Sequence, residues 1–195
     1  MADRRSPRSV LVYGLSGMGK SQICLKAISE QQHRFRSVFY VNASDKTIAD
    51  SNYVEIFRIC HIQHHWEDIS VDEQIRITRT WLACQYEPWL LMIDNVTELS
   101  LPLSRYVPST GSGTILVTSD ESQWATDCHT YCQIRSMSDD QAFELLLKFK
   151  KPEVEPDVHE IQSAKIIAIK ELGGLPLAIA QAGSYISNNH CTYSE

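Results

Sequence analysis

A glycine-rich segment near the start of the chain constrains its fold more than any other feature. The segment reads GLSGMGKS at positions 14–21 and matches the pattern G-x-x-x-x-G-K-[ST] in full. Glycines at positions 14, 17 and 19 let the backbone curl without Cβ clashes, so that its N–H groups and the positive end of a following helix face an anion. Because the segment follows an apolar run and opens a helical pattern, it predicts a phosphate-binding loop between a strand and a helix.

The polar residues that close this loop carry the predicted chemistry. Lys20 can reach the β and γ phosphates of a nucleotide, and the Ser21 hydroxyl can be offered to Mg²⁺. A glycine-rich surface turn is the alternative explanation, and the strand-loop-helix context favours phosphate binding over it. The residues predicted to contact nucleotide are Gly14, Gly17, Met18, Gly19, Lys20, Ser21 and Gln22.

A short apolar run ending in a carboxylate supports this interpretation of the loop. Residues 89–93 (WLLMI) predict a strand that is buried on both faces of a parallel sheet, and Asp94 follows it. At the carboxyl edge of such a sheet, Asp94 would lie beside the phosphate loop and hold Mg²⁺ through water. We therefore predict Ser21 and Asp94 as the magnesium-binding residues, and Asp94 and Lys20 as the catalytic residues. A turn or cap that uses Asp94 without any metal is the alternative.

Two further observations bear on the rate of hydrolysis and on the identity of the nucleobase. Asn95 stands where many ATPases have a second acid, and an amide can orient water but cannot take its proton. We therefore expect slow hydrolysis. The N-K-x-D pattern that recognises guanine does not occur, since Asn188-Asn189 does not fit it. The predicted ligand is ATP or ADP.

Composition excludes several other classes of protein. The chain has 195 residues, 43% of them hydrophobic, and 18 Lys+Arg against 24 Asp+Glu give a formal net charge of −6. This balance disfavours nucleic acid as the main partner. No apolar run approaches the length of a membrane span, and the first residues lack the apolar stretch and cleavage site of a secretory signal. Six scattered cysteines favour reduced thiols and a cytoplasmic location.

Hydrophobic periodicity divides the chain into two parts. Strands alternate with helices as far as residue 135, and only helical patterns follow. The strands are predicted at 9–13, 37–41, 89–93, 113–118 and 130–135. Capping boxes are predicted at Ser70 with Glu73 and at Ser138 with Gln141, and Asp157 is predicted to cap a helix that ends at Gly173-Gly174. The pattern predicts a doubly wound α/β domain over 1–135 and a small helical subdomain over 136–195.

Six segments occur along the chain in an order typical of one family. They are GLSGMGKS (14–21), VFYVNAS (38–44), WLLMIDN (89–95), GTILVTS (113–119), SMSDDQAFELL (136–146) and GGLPLAIAQAGSYI (173–186). In this order they resemble the NB-ARC module of STAND P-loop ATPases, a family that includes plant resistance proteins, the apoptosome core protein and, nearest in character, fungal NOD-like receptors. The resemblance implies a three-layer αβα P-loop NTPase fold with a five-stranded parallel sheet, a helical ARC1-like subdomain, and a nucleotide contact from Pro176.

The resemblance also implies a function and partners. Bound ATP and ADP would stabilise different conformations, so that the module acts as a switch in innate immunity or programmed cell death. Its implied partners are the effector and repeat domains of a larger receptor and other copies in a nucleotide-driven oligomer. The upstream segment that helps to enclose adenine and the downstream winged helix of the family have no counterpart here, which leads us to expect a piece of a longer protein.

One departure from the family pattern bears on nucleotide sensing. Relatives usually carry an arginine after the fourth strand as a γ-phosphate sensor, and this chain has Asp120 there. We expect Asp120 either to face the phosphate and repel it or to face solvent.

Two alternatives to a switch remain. One is a P-loop kinase for a small molecule, which the lack of arginine over 136–195 disfavours. The other is an interaction module without nucleotide.

Overall fold

The computed structural model describes residues 6–61, 69–97, 102–149, 158–189 and 191–193. The chain divides into two compact units. The first unit comprises the residues up to Gly14 together with Lys20–Gln133. The second comprises Leu15–Gly19 together with the residues from Ile134 onward. The predicted helix cap Asp157 lies outside the described residues.

The first unit is built on a five-stranded sheet. The strands are β1 (Arg8–Tyr13), β2 (Ser37–Asn42), β3 (Trp89–Val96), β4 (Thr114–Ser119) and β5 (Thr130–Gln133). All neighbours pair in parallel in the order β2-β3-β4-β1-β5. The continuous apolar run of β3 reflects its place inside the sheet, because every residue except Asn95 is buried there.

Helices cover both faces of this sheet. They are α1 (Lys20–Gln31), α2 (Lys46–His61) and α3 (Val71–Cys84). The chain crosses the sheet in opposite directions between β1 and β2 and between β2 and β3, so right-handed crossovers put α1 on one face and α2 with α3 on the other. On the second face, Leu11, Ile115 and Val117 from the strands join Tyr53 and Ile75 in one hydrophobic core.

The end of β3 differs from the sequence-based expectation. The apolar pattern predicted a strand over 89–93 that Asp94 follows, whereas β3 continues to Val96. Its register against β4 breaks between Ile93 and Val96, and Asn95 in this break has a φ of 63°. Asparagine tolerates this left-handed conformation better than most residues, so the irregularity costs little. Asp94 is therefore held inside the sheet rather than on a loop that follows it.

The predicted helix caps are partly confirmed. Ser138 and Gln141 form a complete capping box at the start of the fourth helix. At Ser70 the box is only half formed, and the prediction was wrong in this respect. Ser70 accepts the N–H of Glu73 at 3.3 Å, but the Glu73 side chain is paired with Arg76 instead of returning to the cap.

The second unit is helical. It contains α4 (Asp139–Leu147), α5 (Val158–Lys165), which runs on into a π-helical segment over Ile166–Glu171, and α6 (Pro176–Asn189). Gly173 and Gly174, with φ of 58° and 66°, end the preceding helical segment as predicted. A small core of buried side chains, among them Leu146, Ala168 and Ile179, joins these helices.

The predicted fold class is confirmed: the chain has a P-loop NTPase fold with a five-stranded parallel sheet and a following helical part. In the described ranges, none of the helices combines the length and the apolar character that crossing a bilayer requires.

Candidate functional site

The loop between β1 and α1 has the backbone conformation that its glycines predict. Gly17 and Gly19 both have a φ of 81°, a left-handed conformation that side-chain-bearing residues rarely adopt. Gly14 is tied to the end of β4, since its N–H donates to the Ser119 carbonyl at 3.3 Å. Gln22 is exposed on α1, whereas Met18 is buried, with 6% of its surface exposed. The loop therefore has the turns that its glycines permit.

Within the second unit, the start of α6 packs against this loop. Pro176 begins the helix, and the next residue, Leu177, donates its N–H to the Gly17 carbonyl at 3.1 Å. A Cβ atom on Gly17 would lie 3.3 Å from the Leu177 Cβ, a tight contact that adds to the left-handed φ in favouring glycine there. The segment around Pro176 and the middle of the loop are thus brought together.

Lys20 is held at the end of the loop by two oxygen atoms. It is buried, with 8% of its surface exposed. Its Nζ donates to the Gly14 carbonyl at 2.9 Å and to Asp120 Oδ1 at 2.6 Å. The Asp120 side chain, 39% exposed, therefore contacts the loop lysine directly. Neither alternative considered from the sequence, repulsion of phosphate or a silent position in solvent, included this ion pair.

Asp94 lies next to Ser21, as the sequence predicted for a shared metal. The Ser21 hydroxyl donates to Asp94 Oδ1 at 2.7 Å. The same oxygen accepts from Thr118 Oγ1 at 2.5 Å, and Oδ2 accepts from the Tyr40 hydroxyl at 2.8 Å. Asp94 is 7% exposed. In the described part of the chain, none of the Lys, Arg or His side chains forms an ion pair with it.

Sequence reasoning missed Tyr40 and Thr118. Tyr40 lies on β2 and Thr118 on β4, and the parallel registers bring both to the carboxyl end of the sheet beside β3. Both occur in the ordered segments that suggested the family, VFYVNAS and GTILVTS. Their position could have been found from strand alignment, but not the fact that their hydroxyls reach Asp94.

Two titratable groups near Asp94 are neutral. Partial burial, followed by the hydrogen bond to Asp94, raises the pKa of the Tyr40 phenol to about 12. Burial first, and then the charges of Asp94 and Cys132, raise the pKa of the Cys24 thiol to about 11. Both groups are therefore protonated at neutral pH, and neither adds an anion or a cation to the cluster.

The donor set fits Mg²⁺. Mg²⁺ prefers hard oxygen ligands and binds proteins through one or two carboxylates, water and substrate phosphates. The Ser21 hydroxyl and the Asp94 carboxylate provide two such oxygens side by side. Asn95 is exposed, and its backbone N–H donates to Thr118 Oγ1 at 2.8 Å. Its amide side chain offers no base.

Comparisons with known proteins identify the family of this chain. The model of the NB-ARC domain family matches residues 1–154. A nucleotide-binding leucine-rich repeat (NLR)-like protein of Hyaloscypha variabilis is 25% identical in an alignment that covers 97% of this chain and 21% of the relative. The chain therefore spans about a fifth of the length of this curated relative.

Solved structures show the same fold at low identity. The Aeropyrum pernix ORC1 protein, solved in complex with DNA, has a TM-score of 0.63 at 15% identity, covering 95% of this chain and 56% of its own. Cdc6p of Pyrobaculum aerophilum has a TM-score of 0.63 at 14% identity, covering 97% of this chain and 58% of its own.

A STAND protein is also among the structural neighbours. This Pyrococcus horikoshii protein, which carries a tetratricopeptide repeat sensor, has a TM-score of 0.54 at 14% identity. The match covers 89% of this chain and 27% of the Pyrococcus horikoshii protein. These likenesses establish the fold, and the family match over 1–154 establishes descent. The chain belongs to the NB-ARC family of nucleotide-binding modules.

Proposed function

We propose that this chain binds ATP and ADP at the loop of residues 14–21 and that Mg²⁺ accompanies the nucleotide. The observation that carries the proposal is the 2.7 Å hydrogen bond between Ser21 Oγ and Asp94 Oδ1, one residue after the buried Lys20. A hydroxyl, a carboxylate and an ammonium group in this arrangement match the phosphate and metal ligands of a P-loop. The lack of a guanine-recognition pattern favours adenine.

Each residue has a separate role in this proposal. The backbone N–H groups around Gly17 and Gly19 donate to phosphate oxygens, and Lys20 neutralises the β and γ phosphates. Ser21 and Asp94 hold Mg²⁺, which when bound offsets phosphate charge. Gly14, Met18, Gln22 and Pro176 are proposed as further contacts to the nucleotide.

Hydrolysis is proposed to be slow. Asn95 offers no carboxylate to take a proton from water. Asp120 stands at the expected sensor position, and in the described residues no arginine bonds to it or to Asp94. An arginine at such a position contributes about 10³ or more in rate. We therefore assign this chain to a switch, in which ATP and ADP stabilise different conformations, rather than to a rapid enzyme.

The setting of the switch is proposed from the relatives. Because the chain matches 21% of an NLR-like protein, we propose that it works inside a larger receptor for immunity or cell death. Residues 1–135 would bind nucleotide, and 136–195 would form the ARC1-like subdomain. Partners would include effector and repeat domains and further copies in an oligomer. All six cysteines are free thiols, which supports a reducing cytoplasmic location.

Calorimetric titration of ATP and ADP into the chain in Mg²⁺ tests the proposal. Lys20→Ala should abolish measurable binding, because it removes the cation on the phosphates. Lys26→Ala is the matched control, because Lys26 lies on the same helix and its side chain is 75% exposed. This variant should bind ATP and ADP with the affinity of the unmodified chain.

Two outcomes of this titration, and one outcome of a turnover assay with candidate acceptors, would contradict the proposal. Unchanged affinity in Lys20→Ala would remove the phosphate-loop assignment. Lack of nucleotide binding by the unmodified chain would favour an interaction module without nucleotide. Release of ADP that depends on a small-molecule acceptor would favour a kinase over a switch.

A further inference from the structure

The ion pair between Lys20 and Asp120 bears on which nucleotide the loop prefers. Lys20 Nζ donates to Asp120 Oδ1 at 2.6 Å and to the Gly14 carbonyl at 2.9 Å. Lys20 is 8% exposed, so its ammonium group is held inside the first unit by these oxygens. Asp120 therefore already accepts one of the hydrogen bonds that the loop lysine would give to a phosphate.

The backbone that carries Asp120 is fixed at the end of β4. Ser119, the residue before it, is 1% exposed, and its carbonyl accepts the Gly14 N–H at 3.3 Å. The Ser119 hydroxyl donates to the Val96 carbonyl at 2.6 Å and accepts the Glu121 N–H at 3.1 Å. These bonds tie the end of β4 to the start of the loop and to β3. The Asp120 side chain, 39% exposed, can rotate away from its partner, but its Cα stays beside the loop.

The hydrogen-bonding capacity of Lys20 distinguishes ADP from ATP. An ammonium group has three N–H donors, and the Gly14 carbonyl and the Asp120 carboxylate take two of them. In the proposed complex, ADP brings only its β-phosphate to this ammonium, whereas ATP brings its β- and γ-phosphates. ATP therefore has to displace one more partner from Lys20 than ADP does. The contact with Asp120 is open to this displacement, because it depends on a partly exposed side chain and not on the backbone.

The charge of Asp120 adds to this difference. In the part of the chain that the structure describes, Asp120 forms an ion pair with Lys20 and with no other cation, and the next residue, Glu121, is an exposed acid. Once the ammonium turns towards phosphate, the Asp120 carboxylate loses its counter-charge and remains close to the phosphates. The γ-phosphate brings a further negative charge to this place, and like charges at short range repel each other.

We propose, on the basis of the function proposed above, that Asp120 is a specificity-determining residue that makes the loop bind ADP more tightly than ATP. ADP leaves more of the contact between Lys20 and Asp120 in place, and it adds less negative charge beside the carboxylate. A neutral residue at position 120 leaves the ammonium to both phosphates and removes the repulsion. The preference for ADP therefore depends on the charge of this one side chain.

Calorimetric titration of ADP and of ATP into the full chain in Mg²⁺ tests this assignment. The measured quantity is the ratio of the Kd for ATP to the Kd for ADP, which should exceed one in the unmodified chain. Asp120→Asn and Asp120→Ala should both lower the ratio by about threefold or more, the size expected for an ion pair with one partly exposed partner. Chromatography of the samples after titration checks that the ATP is intact.

The variants separate charge from structure. Asp120→Asn keeps the shape of the side chain, and Asp120→Ala excludes a new hydrogen bond from the asparagine amide to the γ-phosphate. Glu121→Gln removes a neighbouring exposed acid of the same charge and should leave the ratio unchanged. A purely structural role for Asp120 would change the affinities for ADP and ATP by the same factor, so it would not move the ratio.

Two results would overturn this assignment and leave the proposed function standing. The first is that the unmodified chain binds ATP at least as tightly as ADP. The second is that the ratio of the two Kd values is the same in the unmodified chain and in the folded neutral variants. Lack of binding of both nucleotides by the unmodified chain would instead overturn the proposed function, and the role of Asp120 with it.

Discussion

Two aspartates of the first unit are buried to the same degree but have opposite surroundings. Asp50, 8% exposed, accepts two hydrogen bonds from Arg105 at 3.0 Å each, one from Lys46 at 2.8 Å and one from Tyr106 at 2.6 Å. Asp94, 7% exposed, accepts hydrogen bonds from three hydroxyls and, among described residues, pairs with no cation.

The difference separates a structural carboxylate from a candidate metal ligand. A buried charge without a counter-charge is costly. Burial alone would raise the pKa of the Asp50 carboxyl, but the hydrogen bonds from Arg105, Lys46 and Tyr106 outweigh burial and hold the pKa below its ordinary value. Asp50 is thus balanced within the protein. Among the described residues, the donors that the structure shows at the Asp94 carboxylate are neutral hydroxyls, which supports the proposal that a cation from solution balances it.

The largest expected effect is on stability at Asp50. Asp50→Asn should lower the free energy of unfolding by about 3 kcal/mol, because it leaves the Arg105 guanidinium without its main partner. Asp94→Asn should cost less than about 1.5 kcal/mol, since hydroxyls can both donate to an amide and accept from it. Urea unfolding of both variants measures the contrast, with exposed Glu55→Gln on α2 as the control. Equal losses of unfolding free energy in Asp50→Asn and Asp94→Asn would contradict the proposed difference between the two carboxylates.

Acid should remove the contribution of Asp50. Its pKa is lowered in the folded chain, so its stabilisation is fully present above the ordinary value of 3.8 and is lost as the pH falls through the lower folded value. The gap in urea midpoint between the unmodified chain and Asp50→Asn should therefore be wide at neutral pH and narrow in acid. A gap that widens on acidification would show that folding raises the pKa of Asp50 instead of lowering it.

A smaller effect is expected at Asp120, which competes with phosphate for Lys20. Asp120→Asn should tighten ATP and ADP binding several-fold, and the gain should shrink as salt rises, because the Asp120 side chain is 39% exposed. Asp120→Arg should favour ATP over ADP. Glu121→Gln, a neighbouring exposed acid, is the control for net charge. Weaker nucleotide binding in Asp120→Asn would mean that Asp120 supports the site instead of competing with it.

The smallest effect is expected at Tyr40. Tyr40→Phe removes one hydrogen bond to Asp94 and should lower the free energy of unfolding by about 1 kcal/mol. Affinity for ATP with Mg²⁺ should change less than in Asp94→Asn, because the Ser21 and Thr118 hydroxyls still hold the carboxylate. Calorimetry on both variants checks this order, and a larger loss in Tyr40→Phe would assign the phenol a direct role.

Sequence pattern alone predicted the sheet, the loop and the position of Asp94 beside the loop. These follow from local rules: glycine spacing fixes the loop, and short apolar runs fix the strands. The bulge at Asn95 was not predicted, because apolar periodicity cannot reveal where a strand continues past a polar residue.

Contacts between residues far apart in the sequence could not be predicted either. Lys20 meets Asp120 across a hundred residues, and Leu177 meets Gly17 across a longer span. Neither contact leaves a pattern in the sequence, since each depends on how side chains or segments pack after the chain has folded. Tyr40 lies on an edge strand with 46% of its surface exposed, and the strand pattern did not predict that its hydroxyl reaches Asp94.

The most direct test of the central claim is the Mg²⁺ dependence of ATP binding in the unmodified chain and in Asp94→Asn, measured by calorimetry in Mg²⁺ and in a chelator. The account predicts that Mg²⁺ tightens binding to the unmodified chain by about tenfold or more, close to 1.4 kcal/mol, and that Asp94→Asn loses most of this gain while binding in chelator is nearly unchanged. Equal losses in both conditions would contradict a metal role for Asp94.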